Sequence, residues 1–122
     1  MHHSPGFLKI VNDAKSRIRQ IDIDEYKRMR EAREEHVLVD TREESEWAAG
    51  HAAGAIHLSK GIIERDIEAK IPDHNAVIVL YCGGGYRSAL VADNLQQMEY
   101  KNAISLDGGW TAYKESGLEV DK

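Results

Sequence analysis

Residues 77–80 read Val-Ile-Val-Leu with no polar interruption, and Tyr81 and Cys82 follow directly. A strand with one face in water alternates apolar and polar side chains; a strand covered on both faces does not. The run therefore predicts a central strand over Ala76–Tyr81. Such strands belong mostly to parallel sheets clad by helices, so this one stretch narrows the fold class more than any other.

The rest of the chain supplies matching parts. Shorter strands are expected at Ile21–Ile23, His36–Asp40, Ala55–Leu58 and Ala103–Leu106. A helix over Pro5–Arg19 carries Phe7, Ile10, Val11, Ala14 and Ile18 at helical spacing, with Ser4-Pro5 as its start. Asp24 is expected to cap a second helix running to Glu34. Glu43–Ala49 is a short helix ended by Gly50, and Ile62, Ile63, Ile67 and Ile71 mark another, stopped by Pro72. Helices over Arg87–Glu99 and Trp110–Glu115 complete the set. Strands alternating with helices predict an α/β fold, a parallel sheet with helices on both faces.

At 122 residues the chain has room for one domain. Residues 1–20 are expected to form an N-terminal helical extension and residues 21–122 the α/β domain. A net charge of −5 argues against a nucleic-acid partner, which wants a basic face. No apolar run reaches the length of a membrane span, and Lys9, Asn12, Asp13 and Lys15 break up any signal-peptide core. The expected setting is cytoplasmic, without a membrane partner. A single cysteine excludes an intramolecular disulfide and a cysteine-cluster metal site. His57 and Cys82 fit no recognised ligand spacing, and no metal or cofactor is expected.

Ligands of parallel α/β sheets bind beyond the C-terminal ends of the strands. Cys82 lies at such an end, as do Asp40-Thr41-Arg42 and Asp107-Gly108. Three chemistries suit Cys82-Gly83-Gly84-Gly85-Tyr86-Arg87-Ser88. Gly83-x-Gly85-x-x-Ser88 partly mimics a dinucleotide loop, but only one strand remains after it, too little for the unit that ligand requires. Cysteine phosphatases place five residues between cysteine and arginine; here Arg87 is the fifth residue after Cys82, a shorter loop, and Tyr81 rather than histidine precedes it. The third chemistry is sulfur transfer. A helix N-terminus favours an anion by about 0.3–1 kcal/mol. Three glycines let backbone amides converge on the sulfur, and Arg87 adds a fixed positive charge. An inert buried thiol would leave those glycines unexplained.

Here the chain resembles a known family. "CGGGYRS", Cys82 to Ser88, looks like the active-site loop of a single-domain rhodanese. "VDTREESEWAAGHAAGAIHL", Val39 to Leu58, and "LDGGWTAY", Leu106 to Tyr113, are similar to two further elements of that family. The resemblance covers about Ile21 to Val120. It implies a three-layer α/β/α fold whose five parallel strands lie in the order 1-5-4-2-3, with the N-terminal helix as an addition. It also implies that Cys82 takes sulfane sulfur from a donor as a persulfide, in the ping-pong manner. The donor would be thiosulfate, mercaptopyruvate or a low-molecular-weight persulfide. Gly83, Gly84, Gly85, Tyr86, Arg87 and Ser88 would bind the sulfur. With no second cysteine, the acceptor must be external: cyanide, a thiol or another protein's cysteine.

One departure leaves the donor open. Thiosulfate-preferring members often carry basic residues directly after the cysteine, where this chain has Gly83 and Gly84. A sulfonate would need Arg87 or a residue from another loop, and Arg42, Lys60 and Arg65 are candidates because they follow strand ends. Asp40 and Arg42 are read as bracing the end of the second strand together with Glu46, in a supporting shell with Arg65. His51 is read as a hydrogen-bonded structural histidine, Trp47 and Trp110 as packing residues, and Tyr86 as either pocket lining or surface. The alternative function is a rhodanese-like binding or sensing module, for which the N-terminal helix would supply the partner surface.

Overall fold

This computed structural model describes residues 3–122; Met1 and His2 lie outside the described residues. In chain order the elements are α1 (Pro5–Lys15), β1 (Arg19–Ile21), α2 (Ile23–Glu31), β2 (Val37–Asp40), α3 (Glu44–Ala49), β3 (His51–Ala52), β4 (Ile56–His57), α4 (Ile63–Lys70), β5 (Val77–Tyr81), α5 (Arg87–Gln97), β6 (Asn102–Leu106), α6 (Gly109–Glu115) and β7 (Val120–Asp121). Five of the strands form a parallel sheet in the order β1-β6-β5-β2-β4. Setting aside the short antiparallel pair β3–β7, that is the expected 1-5-4-2-3.

The central run behaves as its composition requires. Ile78 and Leu80 of β5 face α4 and α5, packing with Val39, Ile63, Ile67 and Leu95. Val79 and Tyr81 face the other way, toward α2 and α6, with Tyr26, Ile104 and Tyr113. Fully burying each such aliphatic side chain stabilises by roughly 1.5–3 kcal/mol, which is why the strand carries no polar side.

Element boundaries differ from expectation near Ile21. β1 starts at Arg19, and Ile23 opens α2 instead of closing the strand. The cause is Asp22, not Asp24: its side chain accepts the Glu25 amide at 2.9 Å while the Glu25 carboxylate accepts the Asp22 amide. This capping box satisfies two helix-start amides and outweighs the apolar alternation of Ile21 and Ile23. The antiparallel pair β3–β7, which ties the chain's end to the residues after α3, was not expected at all.

α1 lies against α5. Ser4 accepts the Phe7 amide at 3.4 Å and Pro5 fills the first turn. Val11 and Ala14 are buried. Arg17 donates to both carboxylate oxygens of Asp93 on α5, at 3.1 and 2.7 Å, and Gln96 donates back to the Arg17 carbonyl at 3.0 Å. The helix therefore covers the domain, its buried residues facing α5. No helix among the described residues is long and apolar enough to cross a membrane.

Candidate active site

Because the sheet is parallel, β2, β5 and β6 end on the same side, and Cys82 leaves β5 there. A six-residue loop, Cys82 to Arg87, carries the chain into α5. Its carbonyls are held from outside by the start of α6. The Trp110 amide donates to the Cys82 carbonyl at 2.7 Å, and the Thr111 amide donates to the Gly83 carbonyl at 3.2 Å. With these carbonyls engaged behind the loop, the Gly85 amide is aimed at the sulfur and donates to Cys82 Sγ at 3.1 Å. The fit is close: a Cβ on Gly85 would lie 3.2 Å from the Gly108 nitrogen and 3.3 Å from Asp107.

The buried floor beneath the sulfur is polar. The Cys82 thiol donates to Ser88 Oγ at 3.6 Å, and Ser88 Oγ lies 2.8 Å from Ser105 Oγ on β6. Each serine is fully buried and can turn its hydroxyl. When the sulfur is an anion, Ser105 donates to Ser88 and Ser88 donates to the sulfur, so the pair serves either protonation state.

A second buried network fixes the strand end. Asp40 accepts from the Arg42 amide, Nε and Nη2 at 2.8–3.1 Å, and Arg42 Nη2 also donates to the Gly50 carbonyl at 2.7 Å. The Tyr81 hydroxyl donates to Asp40 at 2.7 Å and accepts the Ala52 amide at 3.1 Å. Burial, aided by the Asp40 carboxylate, pushes the Tyr81 phenol well above its ordinary range. Burial pulls the Arg42 guanidinium down, but Asp40 more than offsets it and the group stays a cation. Arg42 also sits 4.5 Å over the Trp110 ring. Tyr81 immediately precedes Cys82, so this network holds the residue from which the loop departs.

The sulfur opens onto a cavity of about 760 Å³ lined by His3, Phe7, Glu46, Cys82, Gly83, Gly84, Tyr86, Arg87 and Thr111. Arg87 lies along it, 3.1 Å from where a Cβ on Gly83 would be, so glycine at that position makes room for the guanidinium. Arg87 makes a two-point ion pair with Glu46, at 2.9 and 3.2 Å. The Arg87 hydrogen bond holds the Glu46 carboxyl below its ordinary value, and Glu46 in turn raises Arg87. Glu46 thus pairs with Arg87, where the sequence suggested a brace for Asp40 and Arg42. It has the geometry for Arg87 because α3 points its first turn at the loop.

Of the candidate sulfonate holders, Arg87 lines the cavity and those from other loops lie elsewhere. Arg42 is buried and fully engaged with Asp40 and Gly50. Arg65 is exposed on α4, paired with its neighbour Asp66 at 2.7 Å, and neither it nor Lys60 lines the cavity. Tyr86 does line it, its ring lying over Gly84. His51 donates to the Trp47 carbonyl and His57 to the Arg42 carbonyl, with the Trp47 ring stacked on both imidazoles. Among the described residues no group of three or more His, Cys, Asp or Glu side chains converges to hold a metal ion. Sequence reasoning missed Tyr81, Ser105, Thr111, His3 and Phe7 as parts of the site. Tyr81 carried a signal, since a tyrosine inside a buried strand needs a partner for its hydroxyl.

Comparison with known proteins gives a consistent picture. The family model of the rhodanese-like domain matches residues 22–116. The thiosulfate sulfurtransferase GlpE of Haemophilus influenzae is 32% identical over 85 residues, 70% of this chain and 79% of that protein. A Rhodopseudomonas palustris protein of unknown function, described as a possible tyrosine phosphatase, matches in structure with a TM-score of 0.82 at 23% identity. That match, a likeness of fold, covers 99% of this chain and 98% of the other, and so takes in α1. A thiosulfate sulfurtransferase from Pseudomonas aeruginosa matches with a TM-score of 0.76 at 28% identity, over 86% of this chain and 20% of that one.

Proposed function

The chain belongs to the rhodanese-like domain family, and on that footing we propose that it is a sulfurtransferase working through a persulfide on Cys82. The observation that carries this reading is the Cys82 sulfur itself, held 3.1 Å from the Gly85 amide at the floor of an open cavity.

In the first half-reaction the Cys82 thiolate attacks the sulfane sulfur of the donor. With thiosulfate, a new sulfur–sulfur bond forms to Cys82 as the donor's own breaks, and sulfite leaves with the bonding electron pair. The outer sulfur of the persulfide then carries the negative charge, and the loop amides from Gly83 to Ser88 stabilise it as an oxyanion hole stabilises developing charge. In the second half-reaction a nucleophile attacks that outer sulfur: cyanide, giving thiocyanate, or a thiol or another protein's cysteine, giving a new persulfide. Cys82 leaves as the thiolate that began the cycle, so no side-chain base takes part. Residues 21–122 form the working domain in this reading, and residues 1–20 an extension whose helix α1 lies on its α5 side. A lone reduced thiol suits a cytoplasmic setting.

The test is intact mass after incubation with thiosulfate, mercaptopyruvate and glutathione persulfide separately. Wild-type protein is expected to gain one sulfur atom with at least one donor and to lose it on adding cyanide. Cys82→Ser should gain none while keeping the wild-type circular dichroism spectrum. Failure to load from all three donors would falsify the catalytic reading.

A further inference from the structure

Sulfur transfer at Cys82 does not by itself call for the outer wall of the cavity, and that wall includes Phe7 of α1 and His3, two residues before the helix. His3 and Phe7 line the cavity together with Tyr86 of the loop. Their rings form one cluster: His3 lies 4.3 Å from Tyr86 and 5.4 Å from Phe7, centre to centre, with Phe7 6.3 Å from Tyr86. The Lys15 ammonium sits 5.0 Å from the centre of the Tyr86 ring and holds it against the helix. α1 is itself fixed by the Arg17–Asp93 pair, so the wall has a rigid backing.

Glu46 and Arg87 line the same cavity. There the one guanidinium lining the cavity is already paired with a carboxylate at two points. Thiosulfate, a dianion, entering beside Arg87 also meets Glu46, and neither Gly83 nor Gly84 adds a positive charge. A volume of about 760 Å³ is that of a site for a small organic molecule, far larger than an inorganic anion fills.

We propose that this cavity selects organic persulfides, R–S–SH, whose R group lies on the His3–Phe7–Tyr86 wall while the terminal sulfur reaches Cys82. The proposal rests on the sulfurtransferase reading above and makes Phe7 and Tyr86 specificity-determining residues. The Cys82 thiolate attacks the terminal sulfur, a sulfur–sulfur bond forms between them, the donor's own sulfur–sulfur bond breaks, and RS⁻ leaves with its electron pair. The proton stays on the transferred sulfur or passes to water.

The experiment compares thiosulfate with glutathione persulfide as donors for wild type, Phe7→Ala, Phe7→Leu and the control Ile10→Ala, whose side chain is exposed on the same helix. Phe7→Ala is expected to raise KM for glutathione persulfide roughly tenfold, the effect of losing one apolar contact surface, with kcat little changed. Its kcat/KM for thiosulfate should fall by much less, so that the ratio between the two donors shifts toward thiosulfate. Phe7→Leu should recover most of the loss, and Ile10→Ala should match wild type. An equal loss with both donors, or an unchanged KM for the persulfide, overturns the proposal. Titration calorimetry with S-methylglutathione, which cannot donate sulfur, separates the two readings. If wild type loads from no donor, the sulfurtransferase reading falls. In that case weaker binding of S-methylglutathione by Phe7→Ala still upholds the wall, and equal binding overturns it too.

Discussion

An alanine at Gly109 would press on the sulfur cradle from outside without touching the thiol. Gly109 has φ +49, in the left-handed region, and a Cβ there would collide with the Cys82 carbonyl oxygen and lie 3.0 Å from the Gly83 carbonyl. The left-handed conformation alone costs an L-residue roughly 1–2 kcal/mol. Relieving the collision means moving α6 away from the loop, which weakens the Trp110–Cys82 and Thr111–Gly83 hydrogen bonds, each worth about 1 kcal/mol net. Together these give a loss of about 3–4 kcal/mol, a large part of the stability of a small domain. Two other glycines separate the contributions. Gly54 has φ +83 with nothing within 4 Å, so Gly54→Ala carries the conformational cost alone. Gly61 has an ordinary φ and open space, so Gly61→Ala should be neutral or stabilising by about 0.4–1 kcal/mol. Urea unfolding of the three variants should rank them Gly61→Ala, Gly54→Ala, Gly109→Ala from most to least stable. Rapid-quench mass spectrometry should show slower sulfur loading of Cys82 for Gly109→Ala alone, by about tenfold or more, because the Gly85 amide is displaced. If Gly109→Ala is as mild as Gly54→Ala, or loads at the wild-type rate, the carbonyl anchoring does not shape the cradle.

Three further perturbations read other parts of the structure. Arg87 holds the Glu46 carboxyl below its ordinary value of 4.5, so the pair's contribution is complete above pH 4.5 and is lost as pH falls through the lower folded value. At 36% side-chain exposure that contribution is at most about 1 kcal/mol; urea midpoints of wild type and Glu46→Gln should differ above pH 4.5 and converge in stronger acid, and a gap that persists there counts against the pair. Tyr81→Phe leaves the Ala52 amide without its partner and removes a donor to Asp40; scanning calorimetry should report a loss of about 2–3 kcal/mol, and an unchanged Tm would mean the network is not a brace. Arg65→Ala should leave the kinetics with every donor as in wild type, because Arg65 is 73% exposed and paired with Asp66; a higher KM for thiosulfate would return Arg65 to the site.

What the sequence disclosed, it disclosed through patterns local to one segment. The unbroken run Val77–Leu80 announces a strand buried on both faces, and its position before Cys82-Gly83-Gly84-Gly85 puts the thiol at a strand end. The strand order came from the resemblance instead, since no local pattern says that β6 lies between β1 and β5. The start of α2 was legible too, as Asp22 and Glu25 stand at capping-box spacing, but Ile21 and Ile23 drew attention to the strand. Pairing between distant residues leaves no such trace. Glu46 is one of three glutamates within the four residues 43–46, and nothing in that stretch points to Arg87, 41 positions away. β3 and β7 have two residues each, too few to show any periodicity. The apolar spacing of α1 is plain, but that its first turn reaches the Cys82 cavity depends on how the helix lies on α5.

The two faces of the sheet hold the sulfur in different ways, and the consequences differ. On the α2–α6 side the contacts are to the backbone around Cys82: Asp40 and Arg42 position Tyr81, and the start of α6 holds the Cys82 and Gly83 carbonyls. On the α5 side the contacts reach the sulfur and its surroundings: Ser88 backed by Ser105, Arg87 with Glu46, and beyond them the aromatic wall supplied by α1. Substitutions on the first side should therefore lower stability and the loading rate with every donor alike, because they move the cradle as a unit. Substitutions in the α1 wall should change the ratio between donors and leave stability nearly untouched, because Phe7 is only partly buried and the helix is secured elsewhere, through Val11, Ala14 and Arg17.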